Sequence, residues 1–476
     1  MTLDIIIHNG YLITMEGSGC GVIPNGAVAI KGNRIIATGP SDEIMGSYSA
    51  HRYFNAAGKA ILPGFVDVHI HSSNAIVRGT SQDLPNGEWM FHSILPLLSA
   101  ATTDNLVKAS MINLIEAVKT GTTTFGDFDI PMLELVKNHI ALKTRAVVSD
   151  LINDLPKDVT SFESGTLYPF DLTSGNEKLK QNRRLVGKYH QTQNGRIRCR
   201  YGPQAADMCS LEMLEEVKAL AEKQQVGIFM HIAQFPEEEI QCKLRYGKRA
   251  IPFLYEHNLL TPNLLAAHLT MATDEELKII AENCAGMCMC SDSIVMIDGK
   301  LPPARQFLSF GGTVGLGTDQ APGNNCNIMF NEMKFASILT KLESGNPSLF
   351  PAWKILRMAT IEAAKALGME DEIGSLKAGK KADVIIVNLS VPHMAPILEY
   401  PIRNIIPNLV YSARGEEVET VIIDGNVIVD HHKLLTVNEE TAIKEVNESA
   451  KKLETVLSSK EWAQTHPLAT LTQNGL

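Results

Sequence analysis

The chain has no excess of positive charge. Among its 476 residues, 43 Lys and Arg stand against 53 Asp and Glu, giving a formal charge of −10 and a sequence pI near 5.8. A nucleic-acid partner needs a basic face, and no local run of Lys or Arg supplies one, so that class is excluded. Small neutral or cationic substrates fit this balance better. Apolar runs long enough to cross a bilayer are also missing, and the first residues, MTLDIIIHNG, have no basic leader followed by a long apolar region. No membrane partner is expected, and the expected compartment is the cytoplasm. Cysteine is sparse: 8 residues scattered over this length do not make a secreted disulfide framework. The densest cluster, Cys284, Cys288 and Cys290 in CAGMCMC, lacks a second Cys or His pair at finger spacing. It reads as small buried residues of a core strand.

A composition 45% hydrophobic and 20% charged is that of a globular protein able to bury a large core. The length suits one large domain with a smaller one appended. After residue 60, β-rich runs recur with helical patterns between them: GFVDVHIH, GTTTFGDF, TRAVVSDLI, RIRCRYGPQ, VGIFMHIAQ, LLAAHLT, AGMCMCSDS and GTVGLGTDQ. Segments such as TDNLVKASMINLIEAVKT and SLEMLEEVKALAEKQQ carry helical periodicity with polar starts. The repeated β-then-α order predicts an α/β fold, a (β/α)8 barrel over residues 61–380. Both flanks, DIIIHNGYLITM and AVAIKGNRIIATG early and ADVIIVNL and VETVIIDGNVIV late, are strand runs broken by NG, GN and DGN turns. Residues 1–60 and 381–435 are therefore expected to meet in one small β-sandwich, with residues 436–476 forming a charged helix and a loose tail. Residues 151–195 form a long excursion after the third run, either a lid, a contact to another subunit or a plain surface loop.

In a barrel of this kind the chemistry gathers where the C-terminal ends of the strands surround one mouth. His69 and His71 lie one residue apart at the end of the first run, so their side chains point to the same face of the strand. Two neutral imidazoles there can share a divalent metal. His231 ends the fifth run, His268 the sixth and Asp319 the eighth. Any one of these alone also fits a packed rim position. Taken together, four histidines and one aspartate are expected to converge.

With these residues in place, the chain resembles the amidohydrolase superfamily, in particular the branch of triazine chlorohydrolases and of deaminases acting on methylthioadenosine, S-adenosylhomocysteine and guanine. LPGFVDVHIH, RYGKRAIPFL, GLGTDQAPGNNCNIMFNEMK and KILRMATIEAAKALGMEDEIGSLKAGKKADVIIVNL carry the resemblance over nearly the whole chain. It implies that His69, His71, His231 and Asp319 bind one metal, zinc or iron, and that His268 hydrogen-bonds the attacking water instead of ligating. Three imidazoles and a carboxylate suit zinc, with a position left for water. The implied chemistry is attack of metal-bound hydroxide on an electron-poor ring carbon, with Asp319 taking the water's proton and His268 stabilising the adduct. The expected enzyme is a metal-dependent hydrolase that removes an amino or chloro substituent from a triazine, pyrimidine, purine or pterin. The resemblance also implies a homodimer or larger homo-oligomer.

One position departs from the pattern. The deaminases of this branch carry a Glu three residues after the fifth-strand His, and here it is Gln234, whose amide cannot act as a carboxylic acid. Deamination persists if Asp319 or one of Glu237, Glu238 and Glu239 moves the proton while Gln234 holds the ring. Otherwise the leaving group needs no proton, as with chloride, or the protein is a weakly active paralogue that binds metal and ligand. Trp89 and His92 follow the first strand, where related enzymes contact substrate, and Trp89 offers a face for stacking as well as for core packing. Asn324 and Asn325 offer a ring edge hydrogen bonds or simply build the turn in APGNN. Ser291, Asp292 and Ser293 stand at the seventh strand end, as substrate contacts or as a solvated loop. GGTVGLGTD lacks the third spaced glycine of a dinucleotide fingerprint, and KAGKKAD is too short for a nucleic-acid patch.

Overall fold

The computed structural model describes residues 2–84, 86–156 and 165–475. Eight parallel strands follow in chain order: β1 (Phe65–Ile70), β2 (Thr122–Asp129), β3 (Arg145–Ile152), β4 (Ile197–Pro203), β5 (Gly227–Ile232), β6 (Leu264–His268), β7 (Gly286–Met289) and β8 (Val314–Leu316). Each strand is hydrogen-bonded to the next, as a βα repeat dictates when every crossover is right-handed. The strands are buried on both faces, the polar residues of β2 included. Val66, Val68, Phe128, Val147, Phe229, Leu265 and Cys288 fill the interior, with Ala363 and Ala366 of the helix Ile361–Ala366 packed against them. Cys288 and Cys290 are buried and Cys284 is half-buried, so the cysteine cluster is core.

The barrel closes through the backbone of residues that matter later. Beyond the end of β8, the Asp319 amide donates to the His69 carbonyl and the His71 amide to the Asp319 carbonyl, both at 2.8 Å. Gly317 makes this approach possible. A Cβ there would stand 2.9 Å from both Cys288 Sγ and His69 Cβ.

Both chain ends contribute to one nine-stranded, mostly antiparallel sheet. They meet where Lys59–Pro63 pairs antiparallel with Val384–Asn388. Ile35, near one end of the strand order, shares a core with Ile422, near the other, so the sheet curls over itself as a sandwich does. The strand Lys59–Pro63 spans positions 60 and 61, where the sequence reading divided the chain. Within the expected excursion, Leu172–Tyr189 is a regular helix packed on β3 and β4, capped by the Asp171 carboxylate; residues 157–164 lie outside the described residues.

The C-terminal region is more ordered than the loose tail expected of it. The helix Glu439–Ser458 packs on Thr103–Lys119, with the Asn105 amide donating to Ser449. Two short helices follow, Glu461–Gln464 and Pro467–Gln473, and Leu457 and Trp462 pack against the cluster around Trp89. No helix among the described residues is long and apolar enough to cross a membrane.

Candidate active site

The four histidines and Asp319 come together at the mouth of the barrel. Donor atoms of His69, His231 and His268, and of His69, His71 and Asp319, form two overlapping groups, each within 4.8 Å. Asp319 Oδ1 stands 3.3 Å from His69 Nε2 and 3.5 Å from His71 Nε2, and His71 Nε2 is 3.4 Å from His231 Nε2. All five residues are buried. Burial pushes the imidazoles of His69, His71 and His268 well below the usual histidine range and lowers that of His231 too. The rings are therefore neutral near pH 7, the form that donates a lone pair to a metal.

Several contacts aim these groups. His231 Nδ1 faces the Gln204 carbonyl at 2.9 Å, so Nδ1 carries the proton and Nε2 turns its lone pair to the centre. Ser293 Oγ–H donates to Asp319 Oδ2 at 2.7 Å, leaving Oδ1 toward the histidines. Phe128 stacks on His71 and His231, and the His231 and His268 rings stack with an interplanar angle of 6°. His268 and Asp319 adopt left-handed backbone, φ 76° and 59°. Non-glycine residues hold that conformation only where the surroundings impose it, and such positions concentrate at functional sites.

The chemistry of this donor set can be tested against its hydrogen bonding. Both ring nitrogens of His69, both of His268 and Oδ1 of Asp319 are buried with no hydrogen-bond partner. Leaving buried polar atoms unmet is costly. A divalent cation accepting one lone pair per ring and that of Asp319 Oδ1 offsets much of that cost, and three or four imidazoles with one carboxylate make a donor set suited to zinc. The residues fit a metal.

The cluster opens into a cavity of about 630 Å³. Trp89 lines it, with its indole Nε1–H donating to the Pro322 carbonyl at 3.4 Å, and so do Gln234 and His268. Gln234 is placed by Glu238, whose carboxylate accepts the amide N–H groups of Ala233 and Gln234 at 2.9 and 2.8 Å. His92 is not brought there: it points outward and is exposed, because the segment winds as a helix that turns Trp89 inward. Asn324 also lies off the cavity lining. Its side-chain amide donates to the Thr318 carbonyl at 2.6 Å and to Asp292 Oδ1 at 3.2 Å, supporting the turn after β8. Asp292 is held in turn by Glu332, and Ser293 reaches the site only through Asp319.

Sequence reasoning missed several acids here, Asp67 and Asp207 among them. Asp67 accepts the N–H and O–H of Thr318 and ties β1 to β8 beneath the histidines. Asp207, on the loop after β4, lines the cavity. A strand end without histidine gave no signal, although QAADM sits where the other strands carry their ligands.

The pattern of the amidohydrolase family matches residues 60–428. A 5'-deoxyadenosine deaminase of Methanosarcina acetivorans is 33% identical over 94% of this chain and 98% of its own. A 5-methylthioadenosine/S-adenosylhomocysteine deaminase of Desulforudis audaxviator is 32% identical over 95% and 99%. Among solved structures, a zinc-bound adenosine deaminase of Xanthomonas campestris superposes with a TM-score of 0.87 at 24% identity, covering 95% of this chain and 99% of that one. The zinc complex of an atrazine chlorohydrolase from Arthrobacter aurescens superposes with a TM-score of 0.81 at 19% identity, over 94% and 100%.

Proposed function

The chain belongs to the amidohydrolase family, and we propose that it is a metal-dependent hydrolase that removes an exocyclic amino group from a nitrogen heterocycle, adenine nucleosides altered at the 5' position being the first substrates to test. The observation that carries this reading is the junction of the buried His–Asp cluster with a cavity large enough for a nucleoside. The deaminase relatives, matched end to end, support the choice of leaving group.

His69, His71, His231 and Asp319 would hold one divalent ion, zinc before iron. When bound, it supplies Lewis acidity that brings a water's pKa toward neutrality. Asp319, with Oδ1 turned toward the histidines, would accept the proton given up by the attacking water. The Ser293 hydroxyl keeps its second oxygen occupied and so fixes which oxygen does the work. His268 orients the attacking oxygen and offsets the charge that grows on the adduct. Gln234 holds the ring edge by donating and accepting hydrogen bonds. Trp89 gives the heterocycle an apolar face and keeps bulk water away.

A second reading, dechlorination, is favoured by one residue. Gln234 cannot protonate a leaving amine, whereas chloride departs without a proton. Zinc-loaded protein should be offered 5'-deoxyadenosine, 5'-methylthioadenosine, aminotriazines and chlorotriazines, with ammonia and chloride quantified in the same wells. Ammonia from the nucleosides is the expected result. Chloride alone moves the protein to the second reading, and silence in both leaves a paralogue that binds metal and ligand without turning over. A homodimer or larger assembly and a cytoplasmic setting complete the proposal; light scattering on purified protein tests the assembly.

A further inference from the structure

Besides Asp319, the carboxylates of Asp129, Asp207, Glu237 and Glu238 line the cavity. The Lys and Arg side chains of the described residues contribute only Lys178 to that wall, and its Nζ is tied to the carbonyls of Asn153 and Leu155. Three of the four acids are engaged. Asp129 accepts the N–H and O–H of Ser73 and the N–H of Ile130. Glu238 accepts the amides of Ala233 and Gln234, and Glu237 those of Gly165 and the Gln241 side chain. Asp207 differs. It is 2% exposed, and its Oδ1 has no hydrogen-bond partner. A buried carboxylate oxygen left unmet costs free energy, and the Arg245 guanidinium acts on Asp207 through its charge without a hydrogen bond to that oxygen.

We propose that Asp207 is a recognition site for a protonated amine carried by the substrate, so that the enzyme prefers heterocycles bearing an ammonium group away from the carbon that loses its substituent. The inference rests on the reading of the site as a heterocycle hydrolase. Asp207 stands three residues beyond Gln204, whose carbonyl aims His231. Three residues reach at most about 10 Å, so a single small molecule spans from the histidines to this carboxylate. The ammonium supplies N–H donors to the unmet oxygen, in a setting where charge-assisted bonds are strong. Glu237 adds negative charge to the same wall. Burial, and after it the charges of Glu237 and Glu239, push the Asp207 carboxyl up to about 7 against the pull of its own backbone N–H and of Arg245. A cation beside it holds the ionised form.

The test compares matched ligands by titration calorimetry with zinc-loaded, full-length protein. One pair is 5'-amino-5'-deoxyadenosine and 5'-deoxyadenosine. The other is a triazine bearing an aminoethylamino arm and its ethylamino counterpart. The wild type should bind the amine of a pair at least about ten-fold more tightly, the size of one charge-assisted contact. In Asp207→Asn, and independently in Asp207→Ser, that ratio should fall to near one. A preference seen only in the triazine pair upholds Asp207 and overturns the nucleoside reading. Nucleosides bound without preference overturn Asp207 and leave that reading intact. A wild-type preference that survives both substitutions also overturns the assignment, and no binding in either pair overturns both.

Discussion

At the N-terminal end of the barrel strands, the fully buried Arg145 is met by Asp383 at 2.7 and 3.0 Å and by Asp424 at 3.2 Å, a pairing that joins the barrel to the sheet. At the opposite end, the nitrogens of His69 and His268 and one oxygen of Asp319 are buried as deeply and have no hydrogen-bond partner. Both ends take polar groups out of water, a step that costs free energy wherever it is taken. At the base the chain supplies the counter-charges itself, although Arg145 Nη1 has no hydrogen-bond partner. At the mouth it does not, and the remaining demand is directed at what enters from outside. A buried group whose partner is missing from the chain marks function more clearly than a buried pair does.

The largest expected effect breaks the mouth. Asp319→Asn keeps the shape and removes the anionic ligand and proton acceptor together. Turnover should fall by more than about 10³-fold, the scale of losing an acid–base group with its electrostatic support. Zinc per chain, measured by mass spectrometry, should fall with it, and the circular dichroism spectrum should not change. Retention of both zinc and turnover would make the mouth a packed core like the base.

Breaking the base should do the reverse. Asp383→Ala strands the Arg145 guanidinium in a dry site, and loss of one partner of a buried pair costs about 3–5 kcal/mol. Urea unfolding should register that loss, while zinc bound per folded molecule stays at the wild-type value. A variant that unfolds like the wild type would mean that water already reaches Arg145.

Asp150 sharpens the contrast, since it lies on the mouth side of β3 without being a ligand. Its carboxyl accepts only the Met132 N–H at 3.3 Å, and burial pushes it up to about 7. The unfolded chain releases this proton near pH 4 and the folded chain only near 7. The group therefore costs nothing below about pH 4, costs progressively more up to about pH 7, and a constant amount above it. Asp150→Asn should raise stability by about 4 kcal/mol at pH 8 and leave it unchanged at pH 4. An equal gain at both pH values would trace the effect to packing instead of charge.

The mouth was legible in the sequence because strand alternation and the end of each run independently point at the same positions, so His69, His71, His231, His268 and Asp319 select one another. The same logic found the barrel and the shared sheet, whose turns carry NG and DGN. It failed where secondary structure was misjudged. Trp89 and His92 were both offered as substrate contacts after the first strand, but their segment is helical and only Trp89 turns inward. Of the two roles offered for Asn324, ring edge or turn, its amide serves the turn. The tail has little apolar periodicity, and only contacts such as His466 Nε2 to Ser93 Oγ at 2.9 Å reveal that it supports the segment bearing Trp89. Asp207 was invisible because an acid after a strand is ordinary in sequence and unusual only once its burial is known.

Gln234 is where the comparison of the two ends meets the chemistry, and the smallest effect is expected there. The side chain lines the cavity on a loop pinned by Glu238, so Gln234→Glu changes one atom's character without moving the backbone. A carboxyl at this buried position on the cavity wall is pushed up by burial, and so stays protonated to higher pH. It can then deliver a proton to the departing amine, which the amide cannot do. Ammonia release should rise by up to about ten-fold, at the low end of what a positioned acid contributes, because the rest of the site already turns over without it. Chloride release should not change, since chloride needs no proton. A rise in ammonia alone would place the proton among the steps that limit the native enzyme. A collapse of ammonia release would mean that Gln234 holds the ring through its amide N–H donors, and that the native proton travels by Asp319.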